Sequence, residues 1–136
     1  MPHAQSRRIL SSSLPTQFRQ IRLELARERS HSKADVGIAY VIVAPLDGEG
    51  KIDPLLWKKY RRACRIACQR PDSDDSLGQL VNRPGGAWAF DYDRAPFVSD
   101  AVGYHFADER FVIGEYVSIK EGRDTQTYRV AAVGRL

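Results

Sequence analysis

Residues 16–26 read TQFRQIRLELA, and their periodicity decides between two folds. As a helix over 14–29, Leu14, Phe18, Ile21 and Leu25 form a narrow stripe, with Ser13 as N-cap and Pro15 in the first turn. That reading leaves Leu23 facing solvent and gives an α+β protein. As a strand, Ile21, Leu23 and Leu25 alternate with Arg22, Glu24 and Ala26, and no leucine is stranded. The next segment, GIAYVIVAPL, is rich in Val, Ile and Tyr and reads as a strand. RSHSKAD between them is a polar connection. A hairpin therefore accounts for residues 16–46 better than a helix followed by an isolated strand.

Working outward, residues 1–15 form a loose arm, and 16–136 a single globular domain. The chain has 136 residues, 43% hydrophobic and 28% charged, which suits one core. No apolar run approaches the roughly 18 residues of a membrane span. The N-terminal MPHAQSRRILSSSLPTQF lacks the apolar centre of a secretory signal. A cytoplasmic protein is expected. The net charge is +4, with 21 basic residues dispersed among 17 acidic ones. That dispersal disfavours nucleic acid, whose partners gather their basic groups on one face.

KIDPLLWKKYRRAC carries the one clear helix, near 53–63. Asp53 is an N-cap and Pro54 takes the first helical position. Leu56, Tyr60 and Ala63 share its apolar face, with Trp57 at the edge, while Lys58, Arg61 and Arg62 form a solvated face. In the RACRIACQR strand, Cys64, Ile66 and Cys68 face one way. In a strand the Cα atoms of the two cysteines lie about 13 Å apart, beyond disulfide reach, so both read as core thiols. PDSDDS, Pro71 to Ser76, reads as an acidic turn without the glycine and glutamate of a calcium loop.

Downstream the pattern is a β meander. LGQLVNR leads through a Pro-Gly-Gly turn into AWAFDYD, where Trp88, Phe90 and Tyr92 make one face wholly aromatic. AVGYHF and FVIGEYVSIKE flank Ala107-Asp108-Glu109-Arg110, read as a hairpin tip. On the second of these, Phe111, Ile113, Val117 and Ile119 share a face with Glu115, and Gly114 suggests a bulge. Glu121-Gly122-Arg123-Asp124 is a further hairpin turn before TQTYRVAAV. The expectation is a mainly β, antiparallel meander of seven or eight strands forming a small barrel or strongly curved sheet.

Three functional readings follow. The first is a non-enzymatic module binding a small molecule or a protein. Its candidate contacts are Arg83, Trp88, Phe90, Tyr92, Tyr104 and Arg110, although the aromatic stripe equally suits plain core. The second is a small enzyme using His105 as general acid or base with Asp108 or Glu115. No nucleophile motif accompanies these residues. The third is a subunit whose sheet edge pairs with a copy of itself, giving a homodimer. The three histidines, His3, His31 and His105, lack metal-ligand spacing, so neither a metal nor a cofactor is expected.

Overall fold

Eight antiparallel strands, each hydrogen-bonded to the next, close into a barrel when β8 returns to β1. The structure is a computed structural model. It describes residues 14–26, 37–71, 73–84, 87–93, 101–104 (backbone only), 106, 108–121 and 124–136. Most of the N-terminal arm, the RSHSKAD connection, Gly85, Gly86, His105, Ala107, Gly122 and Arg123 lie outside the described residues, as do His3 and His31.

β1 (Phe18–Leu25) pairs with β2 (Ala39–Pro45), so the opening stretch is a strand and the helix alternative is not formed. Its alternation decides the matter: Ile21 and Leu23 are fully buried, a pair that a helix would split between two faces. β3 (Arg65–Arg70), β4 (Ser73–Asn82), β5 (Trp88–Tyr92), β6 (Ala101–Tyr104), β7 (Tyr116–Glu121) and β8 (Asp124–Arg135) complete the meander. The β1–β8 ladder slips by one residue between Arg22 and Leu23, a bulge that inserts Ala131 and bends the long β8 toward closure.

An eight-stranded barrel is just wide enough for side chains to fill. Here they do. Rings make a continuous row through the interior: Tyr128 to Tyr40 at 5.2 Å, Tyr40 to Phe90 at 5.3 Å, Phe90 to Phe106 at 5.9 Å, and Phe106 to Phe111 at 5.1 Å. Each such side chain contributes about 1.5–3 kcal/mol by leaving water. Gly78 has a separate task. A Cβ there would collide with the carbonyl oxygen of Asp91 and come within 2.7 Å of Tyr92 Cα, so its absence lets β5 approach β4.

The helix, α1 (Pro54–Lys59), begins as its residues dictate. Asp53 accepts from the backbone N–H groups of Leu55 and Leu56 at 3.0 and 3.1 Å, and Pro54 opens the first turn. A 3-10 turn, Arg61–Ala63, follows. Together they cover the end of the barrel where β1 starts and β4 stops. Trp57 Nε1 donates to the Leu80 carbonyl at 2.8 Å and its ring meets Trp88 edge-on, while Tyr60 meets Phe18. Among the described residues no helix is long and apolar enough to cross a membrane.

Two local readings need correction. β4 starts at Ser73, so Asp74, Asp75 and Ser76 are strand rather than turn, because Arg70 pairs directly with Ser73. β7 starts only at Tyr116. Phe111 is buried, but Val112 and Ile113 are exposed in a connection whose Phe111 N–H donates to the Gly50 carbonyl at 2.7 Å. Gly114, at φ 94°, does mark a bulge, just before β7: its N–H donates to the Val130 carbonyl at 2.9 Å and the Val130 N–H donates to the Glu115 carbonyl at 2.8 Å, so Gly114 and Glu115 together oppose Val130.

Candidate functional site

The inward-facing rows of five strands bring polar residues to one mouth of the barrel. On β3 the row runs Ile66, Cys68, Arg70; on β5, Trp88, Phe90, Tyr92; on β7, Val117, Ile119, Glu121. Tyr40 on β2 and Tyr128 on β8 face the same space. Period-two alternation directs every one of these side chains toward the lumen, so the cluster is built by the strand pattern itself.

Glu121 is the hub. Tyr40 Oη donates to its Oε1 at 2.6 Å, and Tyr128 Oη to the same oxygen at 3.4 Å. Arg70 Nη2 stands 3.6 Å from its Oε2. Cys68 and Tyr92 lie within side-chain hydrogen-bonding reach of Tyr40. Among the described residues no buried side-chain polar atom lacks a partner.

Burial, above all, holds the cluster's phenols and thiol in their neutral forms. It raises the Tyr40 phenol far above the usual range, with Tyr92, Cys68 and Glu121 adding to the effect. Burial likewise raises Tyr92 and Tyr128. It raises the Cys68 thiol too, against the opposing pull of Arg70 and of the bond to Tyr40. This end of the barrel therefore holds neutral phenols and a neutral thiol packed beside Glu121 and Arg70. A buried thiol kept protonated is no nucleophile.

The residues singled out from sequence divide between the two ends. Tyr92 joins the polar mouth. Phe90 and Trp88 are buried in the packed interior, Phe90 between Tyr40 and Phe106. Arg83, exposed just after β4, and Arg110 lie toward the helix end. Arg110 Nε donates to the Glu49 carbonyl at 3.1 Å, tying two connections together. Tyr104 sits on β6 opposite Ser118, with its side chain outside the described residues. Asp108 and Glu115 are both exposed, and His105 lies outside the described residues.

Tyr40, Cys68, Arg70, Glu121 and Tyr128 do not emerge from the sequence as a group. Cys68 reads there as core, and Glu121 as part of a turn. The available signal is the last inward position of each strand: continuing the rows by one step gives Arg70, Tyr92 and Glu121 together. What the pattern alone does not supply is the register that aligns these ends.

The fold and site define a closed, side-chain-filled antiparallel barrel with one polar mouth. Compared with known proteins, the chain matches no family model, no curated protein and no solved structure.

Proposed function

We propose that the protein is a non-enzymatic binding module whose polar mouth takes a small molecule carrying a hydrogen-bond donor beside an acceptor, such as an amide or an amino-acid head group. The observation that carries this reading is the Tyr40–Glu121 bond with Arg70 held beside it. A barrel end closed only for stability would do as well with apolar side chains, since polar groups gain little by burial. The Arg70–Glu121 contact, at 3.6 Å and about one-third exposed on both sides, contributes little by itself. Its value lies in what it offers a ligand. Arg70 keeps donors to spare for an acceptor, and Glu121 keeps lone pairs for a donor. The phenols of Tyr40 and Tyr128 are buried behind this pair, and both donate to Glu121 Oε1, which fixes the carboxylate in place.

Thermal unfolding in the presence of small amides, amino acids and hydroxy acids tests this. At least one class should raise the melting temperature at millimolar concentration, and the shift should vanish in Glu121→Gln and Arg70→Gln. A ligand that stabilises wild type and both variants alike, or a complete lack of stabilisation, would refute the assignment.

A further inference from the structure

At the opposite mouth two arginines stand face to face. Arg19 and Arg135 are direct partners in the β1–β8 ladder, so their side chains leave the sheet on the same side with Cβ atoms roughly 5 Å apart. Both are in phase with Ile21 and Val133, which pair two residues further in and belong to or pack on the core. The pair thus sits at the rim of the lumen. Like charges directly opposed destabilise a sheet unless something neutralises them.

Nothing among the described residues does so, for neither arginine forms an ion pair there. Arg19 Nη1 donates instead to the carbonyls of Thr16 and Phe18, which orients the guanidinium and leaves Nε and Nη2 as donors. Both arginines line a groove of about 630 Å³ with apolar walls at Leu14, Phe18 and Leu46. The groove's one carboxylate side chain is that of Asp47, and its Oδ1 accepts from the backbone N–H groups of Glu49 and Lys51. An adjoining groove of about 380 Å³ shares Arg19 and adds Arg110, already fixed on the Glu49 carbonyl.

We propose that this groove binds a phosphate monoester, with Arg19 and Arg135 gripping its terminal oxygens. Two guanidinium forks call for about two negative charges and more than two acceptor oxygens, which a phosphate supplies and a carboxylate does not. The groove is much larger than a bare phosphate, and its apolar wall suits the organic part of an ester. The site is independent of the ligand assigned to the other mouth.

Calorimetric titration of the full chain at low ionic strength is the test, with phenyl phosphate as probe and benzoate as the matched carboxylate. Phenyl phosphate should bind, more tightly than benzoate, and the affinity should fall as salt is raised. Arg135→Gln and Arg19→Gln should each weaken binding by roughly tenfold or more. Arg135 ends its strand and is exposed, so its variant should fold; without ligand it should be at least as stable as wild type, because the repulsion is relieved. Equal binding of phenyl phosphate and benzoate, undiminished binding by the Arg135→Gln protein, or no binding of phenyl phosphate at all would overturn the proposal.

Discussion

Tyr40 and Glu121 are 81 positions apart in the chain, and the Tyr40 hydroxyl meets the Glu121 carboxylate at 2.6 Å across the mouth of the barrel. Strands β1 and β8 separate them around the wall, so the bond spans a chord of the lumen. Tyr40→Phe keeps the ring contacts with Phe90 and Tyr128 and removes only the hydroxyl. It should cost about 1.5–3 kcal/mol, the range for a bond to a charged acceptor. Glu121→Gln should cost less in the Tyr40→Phe background than in wild type, because the two substitutions share one interaction. Urea unfolding of the four proteins measures this, and strictly additive losses would deny the coupling.

Alkali should loosen the fold in a defined direction. Burial pushes the Cys64 thiol up to about 12 and raises Cys68 and the three phenols of the mouth. Below the unfolded thiol value both states hold the proton, and stability is unaffected. Above it the unfolded chain releases the proton first, so stability should fall from about pH 9 upward, with the phenols steepening the loss above about pH 10. Urea midpoints taken between about pH 8 and pH 11 check this. In the same range, native thiols should resist an aromatic disulfide reagent until unfolding exposes them. A constant midpoint with rapid native labelling would contradict the burial of both cysteines.

How much of this is legible in the sequence depends on whether the deciding signal is local. Alternation at Ile21, Leu23 and Leu25, the Asp53-Pro54 cap and the Glu121–Asp124 turn are local, and the strands and helix follow from them. The segment 111–113 misleads because Phe111 and Ile113 alternate like strand residues. There a tertiary contact, the Phe111 N–H on the Gly50 carbonyl, replaces the ladder, and Ile113 is left in water. Both mouths depend on registers fixed by hairpin lengths and the Ala131 bulge, and no short stretch of sequence states those registers.

Trp88 separates core from cavity wall. Its ring is buried against Trp57, so Trp88→Ala should cost about 3–5 kcal/mol, enough to unfold a marginal domain. Thermal denaturation followed by far-UV circular dichroism reports it. A fold unchanged by the substitution would mean that the aromatic row leaves space for something else.

Gly78→Ala should be destabilising out of proportion to its size. The added methyl meets backbone rather than a flexible side chain, so β4 and β5 must move apart, a change costing about 1–3 kcal/mol. Hydrogen exchange should show the excess opening at the amides that pair Gly78 with Tyr92 and Leu80 with Phe90. Uniform protection equal to wild type would contradict the close approach.

Both mouths exist only if β8 closes on β1, because that pairing brings Glu121 within reach of Tyr40 and sets Arg19 opposite Arg135. Interstrand nuclear Overhauser contacts test it directly. The structure predicts backbone contacts for Ile21 with Val133 and for Leu23 with Val130, separated by the Ala131 bulge, and slow exchange for the amides of β1 that face β8. Absence of those contacts, with β1 amides exchanging as freely as an open sheet edge, would contradict the closed barrel and both sites built on it.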